Sequence, residues 1–302
     1  MDLLTLKHLR YFEALATHAH FGKAAEACLI SQPALSLQIK SLENIMGGPL
    51  VERASREIRL TALGEDLVVR GREILRQVED LDALARKRSG PFAGRLRIGV
   101  IPTVAPYLLP NIVRSLSGKF PDLSLEPKET ITQSLVREIL ASRLDMAIVA
   151  LPISEPELRE FALFDEDFLL VRPASDADEP VPSPPALPQM QLMLLEEGHC
   201  FRDQALSFCN SSGVFAHQIM EGSSLSTLVQ MVSAGIGVTL IPEMAREFET
   251  RGTDVAIARF EEDIPNRTIG MIWRKTNPLT DELMEIGALI QKVASERTAQ
   301  PA

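Results

Sequence analysis

The sequence predicts an α/β protein that opens with an all-α winged helix-turn-helix, continues through a long linker helix and ends in a two-lobed α/β regulatory domain. Three observations predict it. Apolar residues recur at helical spacing through the first ninety positions and break once, at a tight turn. An amphipathic run of about four heptads follows without a break. Beyond it, short apolar runs alternate with helical patterns, as strands and helices do in layered folds.

Within "LKHLRYFEALATHAHFGKAAEACLISQPALSLQIKSLENIMG", Leu6, Leu9, Phe12, Leu15 and Ala16 share one helical stripe, and Ala24, Ala25 and Cys28 continue a second short helix. The pattern stops at "LIS". Ser31 suits an N-cap and Pro33 the first turn of a third helix whose Leu35, Ile39 and Leu42 point inward. Three short helices with a tight turn between the last two describe a helix-turn-helix. The third presents Gln32, Pro33, Ser36 and Lys40 outward, groups that suit base edges and phosphates. "PLVERASREIRLT" reads as two short strands around a turn carrying Arg53, Arg56 and Arg59, a basic wing beside that helix. The alternative is a solvated polar face with surface arginines. In residues 62–89, Leu63, Leu67, Gly71, Ile74, Val78, Leu81 and Leu84 keep intervals of three and four, which suits pairing with a second copy.

After "SGPFAG" the period changes. "RLRIGVI", "LSLEPKE" and "LDMAIVAL" read as strands separated by helices, and the alternation argues for a parallel sheet. The stretch 180–188, "PVPSPPALP", cannot be a central strand and reads as a surface connection. "QLMLLEE", the helix "SLSTLVQMVSAG" and the strand "IGVTLIP" form a second series, and "TIGMIWRK" with a closing helix is available to return to the first. The expected division is 1–62 for the winged helix-turn-helix, 63–90 for the linker helix and 91–302 for the regulatory domain. Lobe I takes 91–172 and 268–302, and lobe II takes 173–267. A cleft between lobes is where ligands bind, and Thr103, Thr132, Ser134 and Ser224 fall at or beside helix starts facing it.

Net charge is −10, yet residues 1–90 hold 13 Lys/Arg against 12 Asp/Glu while the rest hold 18 against 29. A near-neutral module is joined to an acidic one. No run approaches the roughly 18 apolar residues of a membrane span, and the first residues lack a signal-peptide series, so the expected compartment is the cytoplasm.

Three cysteines cannot form a secreted disulfide framework, but two of them lie nine positions apart in "EEGHCFRDQALSFC". If that segment is helical, about 13 Å of rise and about 180° of rotation separate Cys200 from Cys209. A disulfide needs Cα atoms within roughly 7 Å, so bonding would require unwinding. Cys200, at a helix start with His199 and Arg202 nearby, is the more reactive candidate, able to pass from thiolate to sulfenic acid with Cys209 as the nearest partner. Cys28 reads as a small core residue. Three other readings remain open for the pair: inert core thiols, a zinc site with His199 and His217, or a thioredoxin-like dithiol, which would want an absent C-x-x-C.

"FGKAAEACLISQPALSLQIKSLE" with "LVERASREIRLTALG" resembles the winged helix of LysR-type transcriptional regulators, and the likeness continues over essentially the whole chain. Within that family, "IPTVAPYLLP", "EEGHCFRDQALSFC", "SSLSTL" and "RTIGMIWR" look like its peroxide-sensing members. The resemblance implies a periplasmic-binding-protein-like regulatory domain, with Cys200 as peroxidatic and Cys209 as resolving cysteine. It implies Thr103, Thr132, His199 and Arg267 around the peroxide, with His217 nearby, while the helix and wing patterns themselves give the expected DNA contacts, Ser31, Gln32, Pro33, Ser36, Lys40, Arg53 and Arg56. It further implies operator DNA, RNA polymerase and a thiol reductant such as glutaredoxin or thioredoxin as partners, a homodimer assembling into a homotetramer, nucleoid association, and no metal, cofactor or enzymatic turnover. Two other functions compete: a regulator sensing a small organic anion in the cleft, and a thiol peroxidase, for which a helix-turn-helix would have no purpose.

Overall fold

The computed structural model describes residues 3–52, 58–88, 92, 94–209, 220–261 and 264–298. The chain divides into two compact units, Met1–Ala85 and Arg86–Ala302.

In the first unit, α1 (Leu6–His18), α2 (Phe21–Ala27) and α3 (Gln32–Met46) surround one apolar core. Leu9, Phe12 and Leu15 of the α1 stripe are buried, whereas Leu6 at its edge is 41% exposed. Thr5 and His8 cap α1 reciprocally, the Thr5 hydroxyl accepting from the His8 N–H and the His8 ring accepting from the Thr5 N–H. Ser31 caps α3 by accepting from the Ala34 N–H, and Leu35, Ile39 and Leu42 are fully buried. The turn between α2 and α3 is a Schellman ending: the Leu29 N–H donates to the Glu26 carbonyl and the Ile30 N–H to the Ala25 carbonyl. Its left-handed position holds a leucine (φ 55) where glycine is usual.

Strands β1 (Val51–Glu52) and β2 (Arg59–Leu60) pair antiparallel, Val51 opposite Leu60. This is the wing, and its tip, with Arg53 and Arg56, lies outside the described residues; Arg59 is exposed on β2. Helix α4 (Ala62–Arg88) begins against the wing, where Gly64 lies so close to the Leu50 carbonyl that an added Cβ would stand 2.2 Å from it. Leu67 and Val68 are buried in the unit's core, while Val69, Ile74 and Leu81 are exposed.

The second unit is built on one mixed sheet. Its strands are β3 (Gly94–Val100), β4 (Leu123–Glu129), β5 (Met146–Leu151), β6 (Leu158–Pro173), β7 (Leu192–Leu195), β8 (Met220–Gly222), β9 (Val238–Pro242), β10 (Val255–Ala258) and β11 (Asn266–Arg274). The order is β4-β3-β5-β11-β6-β9-β7-β8, with β10 also on β6. The expected parallel pairing holds at both flanks, where β3 lies between β4 and β5 and β7 between β8 and β9. The centre differs: β11 runs antiparallel to β5 and β6, and β6 antiparallel to β9 and β10. The reason is β6, a 16-residue strand that sequence periodicity passed over and that continues from one lobe into the other.

Helices α5 (Ala105–Lys119), α6 (Thr132–Leu140) and α10 (Thr280–Thr298) cover the first lobe, and α7 (Cys200–Phe208), α8 (Leu225–Ser233) and α9 (Arg246–Glu249) the second. Each lobe has its own apolar core. Leu158 and Leu163 of β6 belong to the first, Phe168 to Val171 of the same strand to the second. The Pro-rich stretch ends in a 3-10 turn, Pro184–Met190.

Candidate functional site

Helix α7 carries both clustered thiols. Gly198, at φ 95, turns the chain into the helix; His199 is the N-cap residue, Cys200 the first helical residue and Cys209 the C-cap. The Cys209 N–H still donates to the Ala205 carbonyl at 3.1 Å, so helical winding persists to the second thiol. About 13 Å of axial rise therefore separates the two cysteines. They also belong to different surroundings. Cys200 is half-buried against the first core, while Cys209 is 3% exposed within the second. All three cysteines are free thiols.

Cys200 lines two spaces. One is a narrow recess shared with Thr103, Ile131, Thr132, His199 and Phe201, too tight to hold a water without a small parting of its walls. The other is an open cleft of about 560 Å³ bounded by Thr132, Gln133, Arg137, the Leu151–Ile153 segment, Asp203 and Gln204. Two helix starts converge on the recess, because Thr132 is the first residue of α6 and Cys200 the first of α7. The Thr132 Oγ1 is buried and has no hydrogen-bond partner among the described residues. An unmatched buried hydroxyl costs about 1–3 kcal/mol. A small guest able to donate and accept would remove that cost.

Behind Thr103, Arg267 is fixed by several hydrogen bonds. It lies directly opposite Glu166 on the paired strands β11 and β6. Its Nε and Nη2 both donate to Glu166 Oε2, at 3.0 and 2.8 Å, and both side chains are almost wholly buried. Its Nη1 donates to Thr103 Oγ1 at 2.8 Å and its Nη2 to the Thr103 carbonyl at 3.1 Å. Glu166 Oε1 accepts from the Met244 N–H at 2.7 Å. With Arg267 donating to one lone pair of the Thr103 oxygen, the Thr103 hydroxyl keeps its own proton available for donation. The guanidinium also lies 5.3 Å from the Phe201 ring centre, beside Cys200.

Two neighbours differ from the sequence expectation. Arg202 does not supply free positive charge: its Nη1 pairs with Glu221 at 2.8 Å and donates to the Leu195 carbonyl. His199 is held below the ordinary imidazole value by burial, against a partial upward pull from Glu196, so the neutral ring is favoured. Burial pushes the Cys209 thiol up to about 11.

The structure thus brings Cys200, Thr103, Thr132 and His199 together and bonds Arg267 to Thr103, while Cys209 stands at the other end of α7. His217 lies outside the described residues. Ser224 caps α8 and Ser134 accepts from Arg137, each in a local role. Glu166 was not singled out in the sequence. On the first unit, Ser31, Gln32, Pro33 and Lys40 are exposed and Ser36 is half-buried along α3.

Comparison with known proteins gives these sites a context. The profile of the LysR substrate binding domain matches residues 89–294, and that of the bacterial regulatory helix-turn-helix protein, lysR family, matches residues 6–65. A probable hydrogen peroxide-inducible genes activator of Streptomyces viridosporus is 41% identical over 95% of this chain and 94% of its own length. The DNA-binding transcriptional dual regulator OxyR of Escherichia coli is 38% identical over 95% of each chain. Among solved structures, a substituted full-length OxyR of Pseudomonas aeruginosa superposes with a TM-score of 0.74 at 33% identity, covering 96% of both chains. A hydrogen-peroxide-bound OxyR mutant of Corynebacterium glutamicum gives 0.66 at 33% identity, covering 98% of this chain and 94% of that one. No helix among the described residues is long and apolar enough to cross a membrane. The chain belongs to the LysR family of bacterial helix-turn-helix regulators.

Proposed function

We propose that this chain is a hydrogen-peroxide-responsive transcriptional regulator, similar in action to the OxyR proteins it matches. One observation carries the reading: the half-buried Cys200 thiol shares a recess with the unmatched Thr132 hydroxyl and with Thr103, whose oxygen is already taken by Arg267. The two threonine hydroxyls hold the peroxide, and His199 as a neutral ring accepts or returns its proton. His217 is assigned a place near the same peroxide. The Cys200 thiolate attacks one peroxide oxygen and the O–O bond breaks, giving a sulfenic acid and, after protonation, water. The Cys209 thiol then displaces the sulfenic oxygen as a second water, closing the disulfide.

The disulfide requires α7 to unwind. Closing a loop of this length restrains the chain by about 2–3 kcal/mol in the entropy model, enough to move a bistable element by one or two decades in population. A dithiol protein such as glutaredoxin or thioredoxin resets the switch. The regulator reads operator DNA through Ser31, Gln32, Pro33, Ser36 and Lys40, with Arg53 and Arg56 on the wing, in the cytoplasm at the nucleoid. The exposed Ile74 and Leu81 of α4 support pairing into a homodimer, and dimers into a homotetramer that meets RNA polymerase. The thiols act once per signal, so the chain is a sensor and not a peroxidase. The expected division, 1–62, 63–90 and 91–302, follows this division of labour.

The test is to titrate reduced protein with peroxide, map any Cys200–Cys209 bond by peptide mass spectrometry, and footprint a candidate operator before and after. A bond that forms while footprint and transcription stay fixed defeats the reading. The 560 Å³ cleft with Arg137 on its wall favours one alternative, an organic-anion effector with incidental thiols. In that case Cys200→Ser would leave the transcriptional response intact.

A further inference from the structure

Helix α3 has an outward stripe as sharply defined as its inward one. At about 100° per residue, Pro33, Leu37, Lys40 and Asn44 form a line opposite Leu35, Ile39 and Leu42. The inward three are fully buried and the outward four are all exposed. Leu37 is the anomaly: it is 67% exposed, a branched apolar side chain between Ser36 and Lys40 on a surface that is otherwise polar or small. A single exposed leucine is ordinary on most helices. Its placement here is not, because it projects from the first half of the helix that the family match makes the DNA-reading element.

Two features of the same stripe fix what it would meet. Lys40, about one turn further along, supplies the charge for a phosphate and so sets the helix against a duplex, while Ser36, the residue before Leu37, and Gln32 at the start of the helix add hydrogen-bonding groups suited to base edges. Leu37 can neither donate nor accept. Set against guanine O6 and N7 or the cytosine amino group, it would strip water from a polar edge and return nothing. The one apolar group on a major-groove base edge is the thymine C5 methyl.

We propose that Leu37 is a base-specificity residue whose side chain packs on the C5 methyl of one thymine in each half-site. The proposal rests on the DNA-binding reading of α3. Removing one buried methyl from such a contact weakens binding by about fourfold per half-site. An arginine at the same position would favour guanine through O6 and N7.

The experiment selects binding sites from a randomised duplex pool with the full-length wild type, Leu37→Ala and Leu37→Arg. Alanine and arginine are both good helix formers at an exposed position, so the fold is retained. The selected wild-type duplex is then remade with uracil replacing thymine one position at a time, and titrated by fluorescence anisotropy. The expected result is one thymine per half-site whose replacement weakens wild type about fourfold, a Leu37→Ala protein that binds the thymine and uracil duplexes alike, and a shift toward guanine at that position for Leu37→Arg. Indifference of the wild type to uracil everywhere, or an unchanged motif for both variants, overturns the assignment of Leu37 while leaving DNA binding in place. Failure of the wild type to enrich any motif overturns the DNA-binding reading and this inference together.

Discussion

Arg267 and Glu166 make a prediction that is quantitative from geometry alone. Their side chains are 0% and 4% exposed, and two of the Arg267 donors converge on Glu166 Oε2. Arg267→Met leaves a buried carboxylate with the Met244 N–H remaining, and also removes the donors on Thr103. Breaking such a pair costs about 3–5 kcal/mol, and Glu166→Met costs a similar amount by stranding the guanidinium. Removing both charges together avoids any uncompensated ion, so the double variant should lose about 2 kcal/mol or less, far below the sum of the singles. Urea unfolding followed by fluorescence measures this cleanly, because Trp273 is the chain's one tryptophan and is fully buried in the first core of the regulatory unit. Additivity to within about 0.5 kcal/mol would show that the two side chains do not act as a pair, and the rigid backing of Thr103 would go with it.

Three further outcomes are expected. With Cys209 3% exposed and its thiol at about 11, iodoacetamide at pH 8 should label Cys200 well ahead of Cys209 in reduced native protein, and in denaturant the difference should vanish; equal native rates would contradict the burial. Because the folded His199 resists protonation, the unfolded chain gains a proton first as pH falls through about 6.5, so stability should decline from pH 7 to pH 5 and His199→Gln should flatten that decline in urea midpoints. Leu29→Gly should relieve the left-handed strain at φ 55 and stabilise the α2–α3 turn by about 1 kcal/mol, seen as slower amide exchange in both helices; faster exchange would mean that the leucine makes a contact worth more than its strain.

The local rules were legible where one element satisfies them alone. Ser31, Pro33 and the Leu35, Ile39, Leu42 stripe define α3 without reference to the rest of the chain, and the nine-residue spacing of the thiols states its own geometric problem once α7 is helical. What stayed hidden was long-range. Thr103 was legible as a hydroxyl at a helix start, but Arg267 entered by resemblance alone, since the two are 164 positions apart and meet through strand order that periodicity does not encode. Glu166 left a trace: in "FDEDF" the alternation of a strand places it on the same face as Phe164 and Phe168, a carboxylate on an apolar side, while Asp165 points to solvent. Mixed charge across "LREFALFDEDFLLVRP" concealed β6 itself, and without β6 the sheet looks parallel throughout.

That strand also constrains how the protein can move. One strand passes from one apolar core to the other, interrupted only by a bulge at Leu163 opposite the Ile269–Gly270 step, so the lobes are joined along it by sheet and not by a loop about which they could swing as independent bodies. Phe201 of α7 rests against Phe168 of β6, ring centres 4.7 Å apart, two residues from the carboxylate that anchors Arg267. Lifting that ring away would unload the beam at mid-span, so a local chemical event reaches both lobes through bending of one shared member, and heat should melt the pair in a single cooperative step.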